Sequence, residues 1–337
     1  MGAGIIGCSI AHELAGRGAR VRIVDPRPAG EGATQASAGT LAPFIEGHSD
    51  VQRALGARSL ALFDEYVQRV MRDGGGSFEY ARVGTLQVAH AASEEAELAQ
   101  QARQLTEAGV EHQLLTGTEA ARLEPGLAPV RTALLIAGHG VVGVQGLTHA
   151  LERAIVKHGG EWSSTRIDPT TAARDADAVV VATGAWAGEP VRPIRGQLVQ
   201  LRLDAPPVQR VIWGRSCYAA PWSDGSLLVG ATVEDVGFDE SSTPDAVRSL
   251  SVAAAALIPA ARGARIAGVR VGLRPQTPDG LPLVGRSSTM PTVFYATGHY
   301  RTGILLAPLT AHLIADLVLE GREDPLLALL SPGRLGL

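Results

Sequence analysis

The chain has 337 residues, of which 45 % are hydrophobic, enough apolar material for one large unit or two closely packed ones. A formal charge of −4 argues against an electrostatically driven nucleic-acid binder. No uninterrupted apolar run reaches the roughly 18 residues that a membrane-spanning helix needs, and no basic leader with a cleavage site opens the sequence. Lys157 is the only lysine, so basic charge is almost wholly arginine. Cys8 and Cys217 stand far apart and read as two reduced thiols. The expected compartment is the cytoplasm.

Met1-Gly2-Ala3-Gly4-Ile5-Ile6-Gly7 has the spacing G-x-G-x-x-G. Ile6, Ile10 and Leu14 then recur at helical spacing, which predicts a helix to about Ala15, closed by Gly16-Arg17-Gly18. Val21-Arg22-Ile23-Val24 reads as a buried strand ending at Asp25, close to the roughly 20-residue distance the dinucleotide fingerprint requires. In that reading Gly2 permits the tight turn, Gly4 lets backbone amides approach a pyrophosphate, and Gly7 lets the helix pack on a sheet. The helix N-terminus offers partial positive charge to phosphates, and Asp25 accepts hydrogen bonds from ribose hydroxyls. Such a fingerprint ordinarily follows a strand, whereas this sequence starts at its first glycine. Absence of that central strand, about five apolar residues, would cost on the order of 5–10 kcal/mol. Two explanations compete: a start read at an internal codon of a longer protein, which is preferred, or a genuinely shortened and weakened chain.

Residues 32–43 form a small-residue loop, too rich in alanine for a solvent linker and suited to backbone lying against a flat ring. Helix is expected from about Val51 to Met71, followed by a break at Gly74-Gly75-Gly76. Phe78 to Ala89 alternates as a strand would. Ser93 to Ala108 reads as a helix capped by Ser93. Two short strands are expected around Gly138, and a helix from Leu147 to His158. Two buried-strand runs, Ala178 to Gly184 and Val293 to Gly298, both end in Ala-Thr-Gly, which lets a ligand approach the strand ends. Between them Leu198–Leu203, Val208–Trp213 and Ser226–Thr232 read as strands of an antiparallel second sheet. Ile304 to Leu319 is interrupted by Pro308, His312 and Asp316 and reads as an amphipathic helix. No nucleophile elbow appears, and the nine histidines form no His-x-x-x-His pair within a helix, so metal use is not expected.

The predicted fold class is α/β: a Rossmann-like domain with a second, mixed or antiparallel β-sheet domain. The dinucleotide domain would be discontinuous, from 1–75, 136–195 and 265–337. The second domain would comprise 76–135 and 196–264.

Four stretches carry a family resemblance: the opening glycines with Asp25; Ala38-Gly39-Thr40-Leu41-Ala42-Pro43; Gly272-Leu273-Arg274-Pro275 with Thr277-Pro278-Asp279-Gly280-Leu281-Pro282; and Gly298-His299-Tyr300-Arg301-Thr302-Gly303-Ile304-Leu305-Leu306-Ala307-Pro308. They resemble the glycine oxidases of the thiamine-pathway type, within the D-amino acid oxidase superfamily. The resemblance covers nearly the whole chain and implies FAD, with its isoalloxazine ring between the two domains. It implies that Ala33, Thr34, Ala38, Gly39 and Thr40 lie along the flavin or its ribityl chain. Gly2, Gly4, Ile5, Ile6, Gly7, Asp25, Pro26, Ile167, Thr183 and Gly184 would complete the dinucleotide contacts. His299, Tyr300, Arg301, Thr302, Gly303, Ile304 and Leu305 would bring backbone amides to the pyrimidine end of the ring, where reduced flavin carries negative charge.

For the substrate, the resemblance implies that Arg274 grips an amino acid carboxylate through paired hydrogen bonds, helped by the Tyr218 hydroxyl, with Arg301 near the ring. The implied reaction passes a Cα hydride to flavin N5. The imino acid is then hydrolysed to an oxo acid and ammonia, and dioxygen is reduced to hydrogen peroxide. The expected partners are therefore a small amino acid or amine and dioxygen, with no nucleic acid and no membrane span; a homo-oligomer stays open.

Two positions depart from relatives. Gly272 stands where sarcosine oxidases carry the cysteine that bonds flavin, which implies non-covalent FAD. Ser216 stands where glycine oxidases of the best-known kind have histidine, which leaves substrate preference open. The rival readings are a D-amino acid dehydrogenase or secondary-amine oxidase, a non-catalytic nucleotide-binding remnant, and an NAD-dependent dehydrogenase.

Overall fold

A computed structural model describes residues 1–45 and 49–337. The helix Ile5–Gly16 forms where its apolar spacing places it and packs against two further helices, Val144–Lys157 and Gly303–Glu320. The long helix Asp50–Gly74 closes the group. It starts at a capping box in which Ser49 Oγ and Gln52 serve each other's backbone amides. Phe63, Leu147, Leu151 and Ile155 fill the core between them.

Apart from a small sheet in which Gly140–Val142 pairs antiparallel with Thr40–Leu41 and Tyr80–Ala81, the strands of this half fall into two groups. Arg22–Val24 pairs in parallel with Glu161–Ser163. Val179–Val181 pairs in parallel with Val293–Thr297, which pairs antiparallel with Leu283–Arg286. Met1 and Gly2 bridge the two groups: Gly2 N donates to Val24 O at 2.9 Å and the Met1 amino group to Val180 O at 2.8 Å. Ala182 N returns a bond to Met1 O, also at 2.8 Å. The two Ala-Thr-Gly runs thus lie side by side, and the Thr297 hydroxyl donates to Gly184 O at 2.9 Å.

An eight-stranded sheet makes the other half, in the order Arg265–Gln276, Arg192–Arg202, Ser226–Gly230, Tyr218–Pro221, Val211–Trp213, Thr85–Ala89, Thr132–Ile136, Gln113–Thr116. Three of these strands had no counterpart in the sequence reading: Gln113–Thr116, Tyr218–Pro221 and Arg265–Gln276. The last is hydrogen-bonded along Arg192–Arg202, with one register shift between Gln200 and Leu201.

Three local expectations change. The alternating stretch from Phe78 is two strands, Tyr80–Ala81 and Thr85–Ala89, because Gly84 turns the backbone at a φ of 78°. The helix Ala92–Glu107 is not capped by Ser93; Ala91 holds the cap position, and the Glu94 carboxylate accepts from the His90 and Ala91 amides. The helix Gly303–Glu320 is buried almost all round rather than amphipathic, every residue from Ile304 to Ala311 being buried. By length and composition it could cross a membrane, yet 72 % of it is buried within the fold. Pro308 lies inside it, and the Ser59 hydroxyl inserts next to the proline, donating to Leu305 O at 2.6 Å and accepting from Leu309 N at 3.3 Å.

His139, buried beside Thr85, shares a 2.7 Å hydrogen bond with the threonine hydroxyl and stacks on Phe44. Burial pulls its pKa from 6.5 down to about 3. A histidine with a depressed folded-state pKa contributes stability above its unfolded pKa, and that stability is lost as pH falls below about 6.5. Between pH 7 and pH 5 this residue should cost about 2 kcal/mol of folding stability. Urea midpoints of the native protein and of His139→Gln, which cannot take the proton, check this. Equal pH slopes for the two proteins would exclude the assignment.

Candidate cofactor and substrate cleft

A cleft of about 1000 Å³ runs from the N-terminus of Ile5–Gly16 to the face of the large sheet. At the first end the glycines act through close approach. A Cβ on Gly2 (φ +95°) would lie 2.3 Å from Ala182 O, and one on Gly7 would lie 2.0 Å from Gly2 O. Gly4 precedes the helix at the cleft wall. One helix amide, however, is not aimed at a ligand: Ile5 N donates to Thr34 Oγ1 at 3.0 Å, which ties the small-residue loop to the helix start. Asp25 lines the cleft and accepts from Ala3 N at 2.7 Å and Arg27 N at 2.9 Å.

Of the other expected cofactor residues, Ile5, Ile6, Pro26, Ala33, Thr34, Thr40, Ile167, Thr183 and Gly184 line the same cleft. Gly7, Ala38, Gly39, Thr302 and Leu305 do not line it. Ala38 is buried against the large sheet, and a Cβ on Gly39 would strike Val142 O at 2.0 Å, so these two shape the loop from behind. The buried Thr183 hydroxyl has no hydrogen-bond partner among the described residues, although it borders the cleft.

His299, Tyr300, Arg301, Gly303 and Ile304 form the wall where Gly303–Glu320 begins. Tyr300 sits at a φ of 47°, and its N–H donates to Pro275 O at 2.9 Å. Arg301 is exposed, with its guanidinium 5.3 Å from the Tyr300 ring. His299 is buried, 3.0 Å from the Thr310 hydroxyl, and burial lowers its pKa to about 3, so the ring is neutral.

Across the large sheet the register brings Leu198, Gly230, Tyr218 and Trp213 into one row, each opposite the next. Residues directly opposite share a face, and so do residues two apart along a strand. Gly196, Gly272 and Arg274 therefore stand on the same face as the row, and all seven residues line the cleft. Arg274 Nη1 donates to Thr232 O at 2.9 Å. The Trp213 and Tyr218 rings lie 4.7 Å apart. Arg27, Trp186 and Trp213 line the cleft without having been singled out in the sequence; Arg27 stacks over Trp186 at 4.0 Å.

Cys217 lines the cleft beside Tyr218, whereas Cys8 and a histidine cluster lie apart from it. Burial pushes both thiols, Cys8 and Cys217, up to about 12, and both are free. Although no helical His-x-x-x-His pair exists, His12, Asp73 and His158 converge from three helix ends or faces, with donor atoms within 4.8 Å of one another.

A helix N-terminus with an acid at the next strand end, opening into a cleft that reaches a second sheet, defines a dinucleotide-dependent enzyme. The FAD dependent oxidoreductase family, DAO, matches residues 1–317, and the chain belongs to it. The Bifunctional protein ThiO/ThiG of Nostoc sp. (strain PCC 7120 / SAG 25.82 / UTEX 2576) is 35 % identical over 97 % of this chain. The chain spans 53 %, about half, of that relative's length. Glycine oxidase of Geobacillus kaustophilus (strain HTA426) is 34 % identical over 94 % of this chain and 91 % of its own. The crystal structure of glycine oxidase from Geobacillus kaustophilus superposes with a TM-score of 0.91 at 32 % identity, covering 98 % of this chain and 96 % of that one. The resemblance seen in the sequence therefore holds, FAD is the cofactor, and the residues present suit it. The Gly2 turn leaves no space for a side chain, and Thr183 offers an unused hydroxyl at the cleft wall.

Replacing Asp25 removes the acceptor for two backbone amides and the expected ribose acceptor together. Asp25→Ala should weaken FAD binding by roughly 10- to 100-fold. Titrating FAD into the apoprotein and following flavin fluorescence measures this. An unchanged affinity would remove Asp25 from the cofactor site.

Proposed function

We propose that this FAD-dependent enzyme oxidises a small amino acid or amine carboxylate, such as glycine, sarcosine or D-alanine, to an oxo acid and ammonia with release of hydrogen peroxide. The observation that carries the reading is the placement of Arg274 and Tyr218 on one sheet face, in the cleft that begins at the dinucleotide helix. The substrate unit is the eight-stranded sheet, to which Arg265–Gln276 is hydrogen-bonded, and the dinucleotide unit is drawn from the beginning, middle and end of the chain. FAD is held non-covalently, since Gly272 offers no thiol and the two cysteines are buried. The burial of Gly303–Glu320 as a core helix supports a soluble enzyme.

When bound, FAD supplies the acceptor for a hydride from the substrate Cα. The chain's own residues supply positioning. Arg274 and the Tyr218 hydroxyl hold the carboxylate, which orients the Cα–H bond across the cleft. His299, neutral with a pKa of about 3, is too weak a base to deprotonate an ammonium group, which supports an amine that arrives neutral. Backbone amides at the start of Gly303–Glu320 stabilise negative charge developing beside them. Arg301, at the exposed rim, adds positive charge to the approach.

Two measurements test the reading. Anaerobic glycine, sarcosine or D-alanine should bleach the visible flavin band, and in air the same substrate should yield peroxide. Bleaching without peroxide would instead support a dehydrogenase. Arg274→Leu should keep its yellow colour while KM for the amino acid rises at least about 30-fold, the loss of a charge-assisted pair. Turnover untouched by that change would place the carboxylate elsewhere.

A further inference from the structure

We infer that Gly196 and Gly230 are positioning residues for substrate binding: their missing side chains form the seats of the Arg274 guanidinium and the Tyr218 ring. The inference rests on the carboxylate-binding role proposed above. Gly196 lies on the strand next to Arg274, two residues along from Ile194, to which Arg274 is paired. A Cβ at Gly196 would fall 2.2 Å from Nη1, 2.3 Å from Cζ and 2.3 Å from Nη2 of Arg274, so the guanidinium lies flat on the bare Cα. Nη1 is held there by the Thr232 carbonyl at 2.9 Å. Gly230 is the register partner of Tyr218, and a Cβ on it would fall 2.5 Å from the tyrosine Oη and 2.6 Å from Cζ.

What each clash would displace separates positioning from folding. At Gly196 and Gly230 the nearest atoms are the ends of side chains that can swing away. At Gly272 they include Ala33 Cα, which belongs to the cofactor loop. Alanine at Gly196 is therefore expected to leave the fold intact, since alanine is otherwise favoured over glycine in a strand, and to move Arg274 off its seat. Gly268, on the same strand as Arg274, has no atom within 4 Å of its ideal Cβ and serves as the control.

The experiment uses the FAD-loaded enzyme. Gly196→Ala should retain flavin content and melting temperature, yet raise KM for the amino acid and Kd for glycolate, a carboxylate without the amine, by at least about tenfold. Gly268→Ala should leave both unchanged. In an Arg274→Leu background, Gly196→Ala should add no further loss, the signature of a residue acting through another. If Gly196→Ala loses flavin, Gly230→Ala compared with Tyr218→Phe carries the same test through the tyrosine. Normal KM and glycolate affinity in the alanine variants overturns the inference. If instead Arg274→Leu itself binds both carboxylates normally, it is the underlying reading that fails.

Discussion

The cleft depends on one close approach, that of the Gly2–Gly7 turn to the strand end at Ala182. The ideal Cβ positions of both glycines fall well inside contact distance of backbone oxygens. That contact brings the start of Ile5–Gly16 against the carboxyl ends of parallel strands. An open α/β sheet binds its ligand at this place, because unsatisfied helix amides and the ends of strands meet there. From this point the other pieces follow in sequence. Thr34 is tied to the first helix amide, and Gly30 N to Ala3 O at 2.8 Å, so the small-residue loop must run along the cleft. Gly272 then packs on Ala33 and Ala36 with no space for a side chain, which docks the large sheet against that loop. A chain of short backbone contacts therefore links the dinucleotide end to the strand that carries Arg274.

The second unit contributes a flat surface rather than a pocket of loops. Its row of register partners sets Gly230 between Leu198 and Tyr218, and this lets the tyrosine ring lie down across the neighbouring strand. A substrate carboxylate would thus meet groups fixed by hydrogen-bonded strands, which hold position better than loops do. The rim is tied as well. Arg195 is almost fully buried and bonds Glu234, Asp239 and the Ser241 carbonyl, which anchors the segment after Thr232, the residue whose carbonyl holds Arg274.

Much of this was legible in the sequence where one residue type answers one local demand. The opening glycines, Asp25 and the two Ala-Thr-Gly runs mark their elements because turn, helix start and buried strand each leave a short-range pattern. Tyr218–Pro221 left none: a four-residue strand containing proline and two alanines has no alternation to detect. Arg265–Gln276 was obscured by Gly268, Gly272 and three arginines at positions 265, 270 and 274, which break any strand pattern; the pairing with Arg192–Arg202 shows why small residues stand there. Trp186 and Arg27 reach the cleft only through a stack between distant segments, which periodicity cannot express. Helix Gly303–Glu320 misled in the other direction, since His312 and Asp316 suggested an exposed face. Asp316 instead binds Arg17 at 2.6 Å, and of the two only His312 is exposed.

Charge shows the same separation between the whole chain and the site. The formal total is −4, yet the cleft is bordered by Arg27, Arg166, Arg215, Arg274 and Arg301 against Asp25, Glu31 and Glu240. One of those acids is engaged by two backbone amides and another by Arg27. Positive side chains therefore outnumber negative ones at the cleft border, while the chain as a whole is negative. Such an excess favours an anionic dinucleotide there. It also bears on the proposed chemistry: oxidation of a neutral amine would leave negative charge on the acceptor, which fixed arginines and helix amides would stabilise without rearranging. The nearby imidazole, kept neutral by burial, cannot supply that charge. Arginines on strands and helix ends carry it instead, at positions set by the glycine contacts from which the cleft is built.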